Sequence, residues 1–151
     1  MTSSAAVASE LTIGVGSEIS MFDGEEDGSL SIDWHADTWR TIGQASISWG
    51  VASEIQTSGD VWAGAGAKLG LPLGPSRKTR FDLSLHGGLY SEGSSGHDLG
   101  GSIQFRTRIG FTHFLRPDLG IGVSLQHKSN AGLDDDNPGS ESVHILLSKK
   151  Y

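Results

Sequence analysis

The sequence contains no cysteine, only 4 prolines and no long apolar run. The absence of cysteine excludes disulfide bonds and thiolate chemistry, so a zinc site would need histidine and carboxylate ligands alone. No stretch approaches the roughly 20 apolar residues that a membrane-spanning helix requires. The formal net charge is −7, and no basic stripe is present to neutralise phosphates, so nucleic acid is not expected as a partner. The 151 residues are enough for a single domain.

The first residues lack the charged segment and apolar segment of an intact signal peptide. Residues 4–10, SAAVASE, resemble the small-residue region around a signal-peptide cleavage site. We therefore expect a mature exported chain after signal-peptide removal, with residues 1–9 as a flexible N-terminus. A natural flexible N-terminus that never followed a signal peptide is the alternative.

Apolar residues recur at every second position in eight segments, which is the pattern of β-strands. In the clearest segment, Ile103, Phe105, Ile109 and Phe111 lie at odd-numbered positions and polar residues lie at the positions between them. We call each such set of alternate positions, which share one face of a strand, a parity. Strands of roughly 9–11 residues with one apolar face can close into a small barrel. The apolar series of the eight segments begin at Leu11, Leu30, Ala45, Val61, Phe81, Ile103, Leu119 and Val143.

The opposite parity of these strands is rich in glycine and serine and carries charges of both signs, such as Asp33, Lys68 and Arg106. A narrow barrel interior filled with small residues and ion pairs fits this composition, with the apolar parity facing lipid. A soluble sandwich with its charged face in water is the alternative.

The connections between the segments alternate in length, as expected of an outer-membrane barrel. Residues 74–77 and 116–118 are short turns, whereas 23–29, 91–98 and 130–140 are longer and polar. We predict an all-β fold, an eight-stranded antiparallel transmembrane β-barrel that forms one domain over residues 1–151.

Three polar residues near the C-terminus fall on the outward, lipid-facing parity: His127, Ser129 and Glu141. If the last two strands pair symmetrically about position 134, His127 lies opposite Glu141 with Cβ atoms roughly 4.5–5.5 Å apart. Ser129 then follows roughly 6.5–7 Å along the same face. This is the order that a Ser-His-acid triad requires. A solvated loop rim without catalytic function is the alternative.

The stretch HKSNAGLDDDNPGSES, residues 127–142, resembles the C-terminal signature of PagL-type lipid A 3-O-deacylases. The motif of that family is His-x-Ser-Asn-Ala-Gly-Leu with a glutamate 14 residues after the histidine, and the interval from His127 to Glu141 is the same. The match is specific at the C-terminal end. The remainder of the chain is compatible only in its length, glycine content and number of strands.

The resemblance implies an enzyme of the Gram-negative outer membrane that hydrolyses the 3-O-linked acyl chain of lipid A in lipopolysaccharide. It assigns Ser129 as nucleophile, His127 as general base and Glu141 as the acid that orients the imidazole. Asn130, Gly132 and Asn137 match family positions close to the triad, and we assign them to shaping the oxyanion site. The resemblance implies no cofactor and allows a homodimer.

Two features depart from the family or remain open. Lys128 stands where an aromatic residue is found in a member of the family, and its parity places it at the inner rim. The acidic run Asp134–Asp136 is interpreted as solvated loop charge, with a calcium site as the alternative. His97 and His113 have no partners at metal-ligand spacing in the sequence, so no metal site is predicted. A non-enzymatic structural barrel in the outer membrane and a soluble lipocalin-like lipid binder are the competing functions.

Overall fold

The computed structural model describes residues 9–19, 27–94 and 96–151, and these residues form nine antiparallel strands. Each long strand pairs with its neighbours along the chain, β9 pairs with β1, and β2 pairs with β4. These pairings close an eight-stranded barrel. The strands are β1 Glu10–Glu18, β2 Gly28–His35, β3 Arg40–Ile42, β4 Ala45–Gln56, β5 Val61–Leu73, β6 Thr79–Ser91, β7 Ile103–Arg116, β8 Leu119–Ser129 and β9 Ser140–Lys150.

The prediction of an eight-stranded antiparallel barrel is confirmed. The short strand β3 was not predicted; it pairs only with the first residues of β4 and lies outside the closed ring. The first predicted segment ends early, because β1 stops at Glu18 and Ile19 follows it. Met21 and residues 1–8, which include most of the predicted flexible N-terminus, lie outside the described residues.

The apolar parity faces outward and the polar parity faces the barrel interior, as the sequence predicts. Ile145, Leu89 and Val15 are exposed, whereas Arg106 and His144 have no exposed surface. This distribution is the inverse of a soluble barrel, because apolar side chains are stable on the outside only in contact with lipid. No helix among the described residues is long and apolar enough to cross a membrane.

Small residues and ion pairs fill the narrow interior. Gly66 shows why glycine is needed, since an added Cβ would come within 2.0 Å of the backbone oxygen of Leu85. Buried charges cost free energy unless they are paired and hydrogen-bonded. The main interior pairs are Asp33 with Arg106 and Arg108, Glu10 with Lys68 and Arg80, and Glu54 with Lys128.

The two ends of the barrel differ in their connections. Residues 74–78 and 117–118 form short turns at the end where β1 begins and β9 ends. The opposite end, called the loop end below, carries the β1–β2, β4–β5, β6–β7 and β8–β9 connections. The loops at 92–102 and 130–139 lie at this end, so the C-terminal half of β8 and the N-terminal half of β9 also approach it.

Candidate active site

The hairpin of β8 and β9 brings His127 and Glu141 into direct contact. The two residues are cross-strand partners, and the His127 Nδ1 atom lies 2.8 Å from Glu141 Oε1. This pairing confirms the register expected from the sequence. The side chains are 49% and 44% exposed, respectively, so the pair lies on the outer surface of the barrel near the loop end.

This hydrogen bond determines the tautomer of a neutral imidazole. An ionised carboxylate can only accept hydrogen bonds, so His127 Nδ1 carries the proton and donates it to Glu141. The Nε2 atom of His127 then has a free lone pair and can accept a proton. The pair therefore has the arrangement that a general base needs.

Ser129 lies two residues after His127 on the same face of β8 and is the last residue of that strand. It is half-buried and pairs with Phe105 of β7. Within the described part of the chain, its hydroxyl forms no hydrogen bond, and none connects it to His127. The structure thus joins His127 to Glu141 directly and places Ser129 beside them as an unbonded hydroxyl.

The inward side chains of β8 connect this strand to β4 across the barrel interior. Lys128 Nζ lies 2.7 Å from Glu54 Oε1 across the interior, and Gln126 donates to the other oxygen of the same carboxylate. Lys128 is buried, in agreement with its predicted inward orientation. Strand parity indicates that Lys128 points inward, but it does not identify Glu54, 74 residues away, as the partner.

Asn130, Gly132 and Asn137 bond to one another in the loop that follows Ser129. The Asn130 backbone N–H donates to Asn137 Oδ1 at 3.0 Å, and the Gly132 N–H donates to Asn130 Oδ1 at 2.8 Å. The buried Asn130 amide nitrogen donates to the carbonyl oxygens of Gly100 and Asp136, both at 2.7 Å. The Asn137 amide nitrogen has no hydrogen-bond partner among the described residues, so it remains an available donor.

Gly139 packs against the imidazole of His127 and was not predicted as a site residue. An added Cβ would lie 3.1 Å from His127 Cε1, and the φ angle of Gly139 is 71°. Residues other than glycine are strained at such an angle, because they carry a Cβ atom. The sequence signal for this position is the glycine two residues before Glu141, but an ordinary loop glycine gives the same signal.

An apolar groove of about 280 Å³ lies on the outer surface next to the His127–Glu141 pair. Leu125 precedes His127 by two residues on the same face, and Val143 follows Glu141 by two residues, so the groove begins immediately beside the pair. Its lining is almost entirely hydrocarbon and consists of Phe81, Ile109, Gly110, Phe111, Val123, Ser124, Leu125 and Val143.

The expectations about metal ligands have different outcomes. Asp134, Asp135 and Asp136 are exposed, and in the part of the chain that the structure describes they join no group of metal-ligating side chains. The expectation that His97 lacks partners is wrong, because the fold brings it together with Glu18 and Asp27. These residues are distant in sequence, so spacing alone could not reveal the group. His113 contacts Thr79 at the opposite end of the barrel.

Comparison with known proteins supports the fold and identifies the family. The curated lipid A deacylase PagL of Pseudomonas aeruginosa is 31% identical over 125 residues, covering 78% of this chain and 72% of that protein. The PagL of Bordetella bronchiseptica is 34% identical over 53 residues, which are 35% of this chain and 30% of that protein.

Solved structures give the same architecture. The crystal structure of the outer-membrane enzyme PagL superposes with a TM-score of 0.64 at 20% identity, covering 93% of this chain and 98% of that one. Neisserial surface protein A superposes with a TM-score of 0.62 at 10% identity, covering 95% and 96%. A model of the lipid A 3-O-deacylase (PagL) family matches residues 26–150, and the chain therefore belongs to this family.

Proposed function

We propose that the chain is an outer-membrane esterase that removes the 3-O-linked acyl chain of lipid A by means of Ser129, His127 and Glu141. The observation that carries the proposal is the 2.8 Å hydrogen bond between His127 and Glu141 on the outward surface. Polar groups on the lipid-facing side of a barrel cost free energy unless they are paired or lie near the interface, so a function is the expected reason for their presence. A membrane lipid is the substrate that can reach such a site.

The proposed reaction begins with attack of the Ser129 hydroxyl oxygen on the ester carbonyl carbon. His127 Nε2 accepts the hydroxyl proton, and the carboxylate of Glu141 stabilises the resulting imidazolium. Collapse of the tetrahedral intermediate breaks the ester bond. The sugar hydroxyl leaves with the proton from His127, and the acyl chain stays on Ser129. Water activated by His127 then releases the fatty acid and restores the serine.

The loop after Ser129 supplies the oxyanion site in this proposal. Asn130 and Gly132 shape the loop through their internal hydrogen bonds rather than by direct donation. Asn137 accepts the Asn130 N–H through its Oδ1 atom, which fixes the orientation of its amide. We assign the free Asn137 amide nitrogen as a donor to the developing oxyanion, where one such donor is worth about 10²–10³ in kcat.

The apolar groove beside the pair fits the acyl part of the substrate. Its walls offer hydrocarbon contact without polar partners, as an acyl chain requires, and its start near Leu125 and Val143 places the ester close to His127. In this proposal the short turns face the periplasm and the loop end faces the cell exterior. The site then lies at the level of the outer leaflet, which lipid A occupies. The mechanism uses no cofactor, and a homodimer is not required because one chain contributes all three side chains.

Kinetic comparison of serine variants tests the proposal. The full chain, refolded in detergent, should release 3-hydroxy fatty acid from lipid A, and Ser129→Ala and His127→Ala should each reduce release to a small residual rate while remaining folded barrels. Ser53→Ala is the matched control, because Ser53 also lies on the outward parity of its strand and is remote in sequence from the hairpin. Full activity in Ser129→Ala or His127→Ala would contradict the assignment.

A further inference from the structure

Two carboxylates oppose each other where the β1–β2 pair ends at the loop end. The register of the pair reaches Ser17 opposite Gly28, and the next backbone N–H, that of Glu18, donates to the carbonyl oxygen of Asp27 at 2.8 Å. Like charges at opposed positions destabilise a strand pair. Neither carboxylate forms an ion pair with lysine or arginine among the described residues, and residues 1–8, 20–26 and 95 contain neither residue type.

Neutral donors from the end of β4 hold one oxygen of each carboxylate. Gln56 Nε2 donates to Glu18 Oε2 at 3.0 Å, and Thr57 Oγ1 donates to Asp27 Oδ1 at 3.1 Å. The second oxygen of Asp27, Oδ2, is buried and has no hydrogen-bond partner among the described residues. A buried carboxylate oxygen without a partner costs free energy, so this oxygen is open to a ligand.

His97 approaches the same point from the β6–β7 loop. Its Nδ1 atom lies 3.7 Å from Asp27 Oδ2, and one ligand atom each from Glu18, Asp27 and His97 lie within 4.8 Å of one another. The backbone of His97 is fixed on both sides: its N–H donates to Asp60 Oδ2 at 3.2 Å, and Tyr90 donates to its carbonyl oxygen at 2.6 Å. The backbone of His97 is therefore fixed beside the two carboxylates by contacts outside the group.

We propose that Glu18, Asp27 and His97 bind a divalent transition-metal ion of the zinc class. The separation of 3.7 Å between His97 Nδ1 and Asp27 Oδ2 is too long for a hydrogen bond. It suits two ligands of one ion, because bonds of about 2.0–2.2 Å in a tetrahedral site place ligand atoms roughly 3–4 Å apart. An imidazole ligand favours zinc and its neighbours over calcium and magnesium, which prefer oxygen alone.

The bound ion would connect the end of the β1–β2 pair to the β6–β7 loop. That loop also accepts a hydrogen bond from Asn130 at Gly100, and Asn130 directly follows Ser129. The ion thus stabilises the loop end beside the hairpin that carries His127. The metal site is independent of the proposed hydrolysis, because none of its three ligands belongs to that hairpin.

Equilibrium dialysis of the untagged full chain in detergent tests the site. The chain is first freed of metal with a chelator and then dialysed against zinc, and its zinc content is measured by elemental analysis. We expect one zinc ion per folded wild-type chain and its loss in His97→Ala, which should still fold because the His97 side chain is 44% exposed. Thr57→Val should weaken zinc binding about 10- to 100-fold, because it removes the hydrogen bond that orients Asp27. His113→Ala, at the opposite end, should bind as the wild type does.

Each other outcome counts against the site. No zinc in a wild-type chain shown to be folded by circular dichroism would overturn the proposal. Equal zinc in wild type and His97→Ala would locate the ion elsewhere and overturn it as well. Retention of calcium with rejection of zinc would refute ligation by the imidazole. Because the readout is metal content, none of these results depends on deacylation.

Discussion

Glu141→Gln is the substitution that isolates the role of the carboxylate in the proposed triad. Glutamine keeps the size of the side chain but removes its charge, and its amide can present a donor to His127 in place of an acceptor. The Nδ1–H group of His127 then loses its charged acceptor, the Oε1 atom that lies 2.8 Å from Nδ1 in the wild type. The imidazolium formed during the reaction loses its counter-charge, so we expect kcat to fall while KM stays nearly constant.

The size of the effect follows from the strength and exposure of this contact. A hydrogen bond to a charged group is worth about 1.5–3 kcal/mol, and each 1.36 kcal/mol changes a rate about tenfold. The expected loss in kcat is therefore about 10- to 150-fold. It should be smaller than the roughly 10⁴-fold loss for a buried triad aspartate, because the Glu141 side chain is 44% exposed.

Steady-state release of fatty acid from lipid A in detergent measures this prediction. Glu92→Gln is the control, since Glu92 is exposed in another connection at the loop end and the chemical change is the same. His127→Ala combined with Glu141→Gln should be no slower than His127→Ala alone, because the carboxylate acts through the imidazole. An unchanged kcat in Glu141→Gln, or additive losses in the double variant, would refute the reasoning.

Three further substitutions test other parts of the structure. Lys128→Met should lower the free energy of unfolding by about 3–5 kcal/mol, because it leaves its carboxylate partner buried and unpaired; denaturant titration in detergent measures this. Gly139→Ala should lower kcat without unfolding the barrel, because the new Cβ would crowd His127 Cε1 at 3.1 Å; kinetics and circular dichroism together measure this. Burial opposes ionisation of Asp60, but hydrogen bonds led by the Gly93 N–H outweigh it and lower its pKa. The stability that ionised Asp60 gives to the 92–102 loop is therefore present above the ordinary pKa of an aspartate and is lost as pH falls through the lowered pKa. Asp60→Asn should remove this dependence from amide exchange in the 92–102 loop.

Each of these predictions has a clear contrary result. Wild-type stability in Lys128→Met would mean that the interior pair with Glu54 does not hold β8. Full activity in Gly139→Ala would mean that the imidazole does not need the space beside this glycine. The same acid dependence of loop exchange in Asp60→Asn and wild type would mean that another group fastens the loop.

The strands and their orientation could be predicted because they depend on local alternation. Ile145 and His144 are neighbours in sequence but face lipid and interior, respectively, as a period of two requires. β3 escaped prediction because three residues, Arg40–Ile42, are too few to show a period. The His127–Glu141 contact was predictable for a related reason: a hairpin fixes its own register once its centre is known.

Contacts across the barrel could not be predicted from the sequence. Asp33 meets Arg106 and Arg108 at separations of 73 and 75 residues, and the strand period indicates only that all three point inward. Which charges meet depends on how the strands stagger when the sheet closes. His97 escaped prediction for the same reason, because its neighbours Glu18 and Asp27 belong to a different part of the ring.

Mass spectrometry of lipid A from cells that produce the chain tests the central claim most directly. Wild-type protein should remove one 3-hydroxyacyl chain from lipid A, and Ser129→Ala, present at the same level in the outer membrane, should leave lipid A intact. A non-enzymatic barrel leaves lipid A intact in both cases. Intact lipid A with the wild type, when the same purified protein also fails to act in detergent, would contradict the account. Equal deacylation by Ser129→Ala would contradict the assigned nucleophile.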